Sequence, residues 1–363
     1  MREFWGIEGL FRKPEIFDPE FVPPEIFHRD AQMRDLAITL RPVLQGAFSG
    51  HILCVGPPST GKTTVVRHVL TKLDEHSVKT AYIKSPVLRT TYNIFAKIYE
   101  AVQQKLPPQK GVPLFKLIDE IGEAVKDSVL VVALDDLNFL RVQTLNEVLS
   151  VLVKGLPFKC VVIGVATEKN FLARIDPYTG SIFHFHEIAF PLYSSGEIRE
   201  ILRWRVREGF IEGAVSEEAF EKVVELTAKN GDIRYGLWLL REAGIAAEKR
   251  GSERVELEDV EAARIGEEVA ALVKSVAVLS SDEREALKII YTMGGKEITT
   301  GAVYAVMKCE VGLRHERFYE ILDKLERLRF IDLVVGKRGR GWTRYIMRRY
   351  DVQAVLRALK LNL

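Results

Sequence analysis

Cysteine is nearly absent. The three residues Cys54, Cys160 and Cys309 are scattered among apolar neighbours. None pairs with another at metal-ligand spacing, so they read as small buried residues of a reducing compartment, not as a disulfide frame. Asn, Gln and Met are also sparse while Glu, Lys and Arg are plentiful, a balance that leans toward a heat-adapted source. A large surplus of either charge is missing: 52 Lys and Arg face 50 Asp and Glu, for a formal net charge of +2. Any nucleic-acid binding must therefore come from a local patch, not from global charge. No run approaches membrane-spanning length, which argues against a membrane partner. The first residues carry an acid and no apolar core, so they do not read as a secretory signal, and a cytoplasmic placement is expected. There is no internal repeat and no low-complexity segment. The seven histidines form no metal set; His184 and His186 alternate along one strand edge and read as structural.

What is present is a 363-residue chain with 47% hydrophobic and 28% charged residues, enough for two or three globular domains. Residues 1–24 are rich in Pro, Phe and charge, and read as an extended arm packing its aromatics on the first domain. Apolar, β-branched runs follow at 51–55, 80–84, 129–134, 160–166 and 186–190, which fits strands covered on both faces. Helical periodicity lies between them, over 31–44, 63–74, 91–105, 114–126 and 145–153. The pattern predicts a parallel αβα sheet. After Pro191 the strands stop. Four amphipathic helices are expected at 197–208, 216–229, 232–249 and 257–274, the second opened by a Ser216 cap. A third pattern has helices at 281–291, 300–311 and 315–329 and a hairpin at 330–335 and 342–349. Three short helices and a β-hairpin predict a winged helix. The expected boundaries are 1–191, 192–274 and 275–363.

Residues 56–63, Gly-Pro-Pro-Ser-Thr-Gly-Lys-Thr, form a complete G-x-x-x-x-G-K-[ST] phosphate loop between a strand and a helix. Gly56, Pro57, Pro58, Ser59, Thr60 and Gly61 would turn the backbone so that several N–H groups face one phosphate. Lys62 supplies charge for the outer phosphates, the Thr63 hydroxyl can ligate Mg²⁺, and Thr64 continues the helix N-terminus. The chain is expected to bind a nucleoside triphosphate. The run ending in Asp135-Asp136 puts two acids at a strand's C-terminal end, where a parallel sheet presents groups to its ligand. Asp135 would hold Mg²⁺ through water, and Asp136 stands where a carboxylate can polarise attacking water. Asp is one methylene shorter than Glu, so Asp136 would be an inefficient base. Arg234, in Gly231-Asp232-Ile233-Arg234-Tyr235, could lean over the phosphates; read locally, it is equally a surface Arg on a capped helix.

The order of these motifs, His28-Arg29-Asp30, GPPSTGKTT, LDDLNFL, GVATEKNFLARIDP, FPLYSSGEIREILRWR, NGDIRYGLWLLREAG and a terminal EITTGAVYAVM…GRGWTRYI, resembles the archaeal initiator family. That family is related to eukaryotic origin-recognition-complex subunits and the associated helicase-loading factor. The match runs from about residue 20 to about 357. The resemblance implies an AAA+ ATPase core, a helical lid and a winged helix. It makes ATP or ADP with Mg²⁺ the cofactors, and Arg234 the lid's phosphate sensor. It lays the segment 23–29, including Arg29, against the adenine, and places a DNA-touching insertion at 91–121. Its implied partners are double-stranded origin DNA, other initiator subunits and the replicative helicase, in a nucleoid-associated protein. The chain also departs from the family. The second motif reads Asp135-Asp136-Leu137-Asn138, and Thr167 takes the slot of the polar sensor Asn. Ser181-Ile182-Phe183 replaces Ser-Arg-Leu, removing the Arg that completes a neighbour's site; Arg174 sits too early to inherit the role.

Residues 336–349 hold Lys337, Arg338, Arg340, Arg344, Arg348 and Arg349 and no acid, and Trp342 and Tyr345 interleave. A basic wing tip suits the minor groove or flanking phosphates. On the expected recognition helix, 313–328, Arg314, Arg317, Tyr319 and Lys324 are groove candidates. Phe318, Ile321, Leu322 and Leu325 repeat at helical spacing and should be core. The leading expectation is a nucleotide-switched origin-binding initiator with slow hydrolysis. A rival is a regulatory DNA-binding paralogue with negligible turnover, favoured by Asp136, Thr167 and Ile182. A third is a defence or transposition ATPase, which would need further effector domains.

Overall fold

The structure, a computed structural model, describes residues 9–85, 88, 90–106, 112–126, 128–168, 172–173, 175–177, 180, 184–294, 298–338 and 341–361. Arg174, Ser181, Ile182, Phe183 and Arg340 lie outside the described residues. The chain divides into two compact units, Met1–Arg241 and Glu242–Leu363, a cut that falls inside a helix and not at either expected boundary.

In the first unit, α1 (Asp30–Leu40) leads to β1 (His51–Val55) and α2 (Lys62–Glu75). β2 (Lys79–Lys84), α3 (Thr91–Gln103), α4 (Leu114–Ala124) and β3 (Leu130–Asp135) follow. Then come α5 (Val142–Ser150), β4 (Cys160–Ala166) and β5 (Phe185–Ala189). The strands form one parallel sheet in the order β2-β3-β4-β1-β5. Their apolar runs alternate between two cores. Ile52, Cys54, Val131, Ala133, Val161 and Ile163 face Leu36 of α1 and Val65, Val66 and Leu70 of α2. Leu53, Val55, Val132, Leu134 and Val162 face α3, α4 and α5 through Ile94, Phe95, Ile98, Leu117, Ile121 and Leu145. Every β1, β3 and β4 residue is buried, so both faces of these strands are covered, as the unbroken apolar runs predict. α5 begins three residues earlier than the periodicity suggested, and Val151–Gly155 widen into a π-type turn.

Three helices complete this part: α6 (Ser195–Gly209), α7 (Glu217–Asn230) and the start of α8 (Ile233–Arg250). Ser194 caps α6 through a capping box with Glu197, and Ser216 caps α7. The N-terminal arm departs from the sequence reading. It carries a 3₁₀ turn at Pro14–Phe17, and its aromatics pack on the end of α6, not on the sheet domain. Phe11 and Phe17 lie 4.7 and 4.9 Å, ring to ring, from Phe210. Arg12 and Lys13 N–H groups both donate to the Gly209 carbonyl, at 2.8 and 3.0 Å. Burying three aromatic rings against one another is the larger gain, and it is available only where α6 ends in Gly209. A side chain at 209 would meet the Phe17 ring at 2.4 Å.

The second unit holds the end of α8, α9 (Leu257–Ala277), α10 (Ser281–Thr292), β6 (Ile298–Thr299), α11 (Thr300–Glu310) and α12 (His315–Arg327). The antiparallel hairpin β7 (Ile331–Arg338) and β8 (Gly341–Arg348) follows, with β6 on the far side of β8. Phe318, Ile321, Leu322 and Leu325 are fully buried, as their spacing predicts. The same core takes in Leu272 and Val276 from the second half of α9. A last helix, α13 (Val352–Lys360), is capped by Asp351 and was not foreseen.

Candidate nucleotide site and nucleic-acid interface

The C-terminal ends of β1, β3 and β4 open on a cavity of about 260 Å³. Its lining includes Pro58–Thr64, Asp135, Asp136, Thr167 and Arg234, together with Pro23, Phe27 and Trp204. A turn from a buried strand into a helix is what shapes the phosphate loop. Gly56 is obligatory there: a Cβ would lie 2.1 Å from the Phe190 carbonyl oxygen. Gly61 holds φ 82°, and a side chain on it would strike the Tyr193 hydroxyl. Lys62, at the start of α2, donates from Nζ to the Gly56 and Pro57 carbonyls at 2.6 Å each. Burial lowers its pKa to about 8, against the opposing pull of Asp135 and Asp136.

Thr63 and Asp135 meet. The Thr63 hydroxyl lies 3.2 and 2.9 Å from the two Asp135 oxygens. Asp135 is only 2% exposed and also accepts from the Tyr82 hydroxyl at 2.5 Å. A hydroxyl beside a carboxylate is an all-oxygen donor set, which suits Mg²⁺. Asp136 sits in the left-handed region at φ 59°, and its N–H donates to Asp135 Oδ1 at 3.1 Å. Burial, then the Asp135 charge, raise its carboxyl above the usual aspartate value. The Thr167 N–H donates to Asn138 Oδ1 at 3.2 Å, tying the sensor slot to the loop after β3.

Arg234 lines the same cavity, but not as a free surface cation. Its Nε and NH2 donate to Asp232 Oδ1 and Oδ2 at 3.1 and 2.7 Å. Arg29 takes a different place from the one the resemblance implied. It is 2% exposed and does not line the cavity. Its guanidinium donates to the carbonyls of Thr60 (2.9 Å), His28 (2.8 Å) and Pro191 (2.7 Å) and lies 3.7 Å over the Tyr193 ring. Its bond to Thr60 braces the phosphate loop. Two residues at the site escaped the sequence reading. Tyr82 gave no signal beyond its place in a strand, and Asp232 was legible only as a helix start.

In the second unit the cations sort into two kinds. Arg314 and Arg344 are exposed. Lys337 and Arg338 have backbones in β7, on the hairpin's far end. The other candidates are committed to the protein. Lys324 donates to Glu283 at 2.6 Å, and Arg317 reaches Glu283 at 3.4 Å and Glu320 at 2.8 Å. The Glu283 side chain is only 4% exposed, and a buried carboxylate claims its partners. Arg348 donates to the Ile290 and Met293 carbonyls, and Arg349 forms a fork with Asp332 at 2.7 and 2.5 Å. Arg317, Lys324, Arg348 and Arg349 are thus structural before they are anything else. No three or more His, Cys, Asp or Glu among the described residues cluster to hold a metal. No helix among them is long and apolar enough to cross a membrane.

A parallel sheet with this strand order, a phosphate loop after β1 and acids at the end of β3, followed by a helical lid carrying an Arg, defines an AAA+ domain. Residues 49–169 match the AAA domain family, and residues 199–265 the Cdc6 AAA+ ATPase-type lid domain. The chain is 39% identical to ORC1-type DNA replication protein 2 of Archaeoglobus fulgidus over 98% of its length and 94% of that protein's. It is 34% identical to ORC1-type DNA replication protein 6 of Halobacterium salinarum over 98% and 97%. Among solved structures, the Aeropyrum pernix ORC1 protein in complex with DNA aligns with a TM-score of 0.66 and 29% identity, covering 97% of each chain. The chain belongs to the archaeal Orc1/Cdc6 family of ORC1-type DNA replication proteins.

Proposed function

We propose that this protein is an ATP-binding replication initiator that holds double-stranded origin DNA, with nucleotide setting its conformation and slow hydrolysis. The observation that carries the reading is the convergence of Lys62, Thr63, Asp135 and Arg234 on one cavity, in a chain alike to ORC1-type proteins along almost its whole length. In it, Lys62 and the backbone N–H groups of Ser59, Thr60 and Gly61 bind the outer phosphates. Thr63 and Asp135 hold Mg²⁺, which would neutralise phosphate charge. Phe27 and Trp204 supply apolar surface at the base end. The DNA arm of the proposal draws support from the DNA-bound Aeropyrum pernix relative. Here a winged helix formed by α10–α12 and the hairpin would approach DNA with Arg314, Lys337, Arg338, Arg340 and Arg344, and the α3–α4 segment would make a second contact. Other initiator subunits and the replicative helicase are the proposed protein partners, in a cytoplasmic, nucleoid-associated setting. Footprinting across the source organism's replication origins tests this. Discrete protected duplex sites are expected; no preference over random duplex at raised salt would contradict it.

A second reading, a regulatory paralogue that holds nucleotide with negligible turnover, is favoured by Asp136. Its carboxylate is one methylene shorter than that of Glu, so it reaches an in-line water less well. Position 182 is Ile, where the family would place an Arg worth roughly 10³–10⁵ in rate in related phosphoryl transfers. The ATPase rate per molecule should then stay flat as protein concentration rises. A steep rise in the purified protein would mean that another residue, such as Arg174, completes the neighbour's site.

A further inference from the structure

Asp232 stands between two parts of the site that the sequence treats separately. Its Oδ1 accepts from the Ser59 hydroxyl of the phosphate loop and from the Arg234 backbone N–H at 2.9 Å. The same carboxylate takes the Arg234 Nε and NH2 at 3.1 and 2.7 Å. Ser59 is held at φ 59°, a left-handed conformation that strains a non-glycine residue. That strain sits at the one loop residue whose hydroxyl reaches Asp232. Burial works against the Asp232 charge, but the hydrogen bonds from Arg234 and Ser59 outweigh it, and the carboxyl stays below the usual aspartate range. With Nε and NH2 committed, Arg234 NH1 has no protein partner among the described residues. Arg234 lines the cavity with Lys62 and Asp136, so the NH1 hydrogens and the second NH2 hydrogen are left for a ligand.

We infer that Asp232 is a positioning residue that couples the phosphate loop to Arg234, so that Arg234 distinguishes a nucleoside triphosphate from a diphosphate. The inference deepens the proposed function and rests on its nucleotide reading. A two-point fork fixes the guanidinium plane, and a fixed plane loses less freedom when a remaining donor meets a phosphate oxygen. The link through Ser59 makes the aim of Arg234 depend on the conformation of the loop beneath the phosphates.

Two simpler roles compete, and they predict different outcomes. If Asp232 only caps α8, Asp232→Asn, which keeps the cap, should leave ATP and ADP binding unchanged. If it only neutralises Arg234, its loss should tighten ATP. The test uses the full chain with Asp232→Asn, Asp232→Glu, Ser59→Ala and the Ser59→Ala/Asp232→Asn double variant. Asn keeps an acceptor for the Arg234 N–H, and so keeps the cap, but cannot accept from both Arg nitrogens. Calorimetric titration with ATP and with ADP in the presence of Mg²⁺ should show Asp232→Asn weakening ATP on the order of tenfold, with ADP within about twofold. Glu should restore most of the preference. Ser59→Ala should lower the ATP preference roughly threefold, and the double variant should be no worse than Asp232→Asn alone, because the two side chains act through one coupling. Unchanged binding of both nucleotides in Asp232→Asn, equal weakening of both, tighter ATP, or additive losses in the double variant would each overturn the inference. A wild-type chain that binds neither nucleotide would overturn the nucleotide reading beneath it.

Discussion

The Tyr82 hydroxyl donates to Asp135 Oδ2 at 2.5 Å, the same oxygen that accepts from the Thr63 hydroxyl at 2.9 Å. Burial, reinforced by this bond, pushes the phenol's pKa well up, so Tyr82 remains a donor throughout the working pH range. One strand thereby fixes the carboxylate of its neighbour, in a sheet whose register pairs Lys84 with Asp135.

Tyr82→Phe removes one oxygen and little volume. Asp135 then loses an orienting bond that has a charged acceptor, a contribution of roughly 1.5–3 kcal/mol. Mg²⁺ should support ATP binding at roughly tenfold higher concentration in the variant, while metal-free nucleotide affinity is unchanged. Titrating Mg²⁺ at fixed ATP and following binding measures this. An identical Mg²⁺ dependence in wild type and variant would remove Tyr82 from the site.

His51 gives the first unit an acid limb. It is 6% exposed at the start of β1, and its Nδ1 accepts from the Val162 N–H at 3.1 Å, so protonation there breaks a strand contact. Burial lowers its pKa from 6.5 to about 4. Above about pH 6.5 the ring is neutral in both folded and unfolded states. Between about 6.5 and 4 the unfolded chain binds a proton that the folded chain refuses, so stability falls with pH, by roughly 2–3 kcal/mol. His51→Gln keeps an acceptor without the titration. Urea unfolding from pH 7 to pH 4 should show the wild type losing more stability than the variant; parallel curves would contradict the assignment.

The second unit separates DNA contacts from structural cations. Arg344→Ala should leave the fold intact and reduce the salt slope of duplex binding by about 0.9 if Arg344 meets one phosphate. Arg317→Ala and Lys324→Ala should instead cost roughly 1–3 kcal/mol of stability, because each strips a partner from buried Glu283, and leave the salt slope alone. Filter binding over a salt series, beside urea denaturation, distinguishes them. An Arg317→Ala variant with full stability and a lowered slope would return that residue to the groove.

The sheet was legible because its strands are buried on both faces and therefore apolar without interruption; β1 and β4 begin and end where the runs do. The phosphate loop was legible because an anion cradle needs Gly, Lys and a hydroxyl at fixed steps. What the sequence hid depends on distant partners. Nothing local distinguishes Arg344, exposed, from Arg348, which is spent on the carbonyls of Ile290 and Met293. Arg29 lies within a segment implied to touch adenine, yet its donors go to the carbonyls of Thr60, His28 and Pro191. The arm's aromatics carried no address; only the fold brings Phe210 to Phe11 and Phe17. α13 did have a signal, an Asp351 cap followed by apolar residues at 354, 355, 358 and 359.

The central claim is that Lys62 and its loop hold the phosphates of a nucleotide. Calorimetric titration of ATP and ADP into wild type and Lys62→Ala tests it most directly. Losing a charge-assisted contact to phosphate should weaken binding of both at least tenfold, with the fold retained by circular dichroism. Equal ATP affinity in wild type and variant would contradict the account.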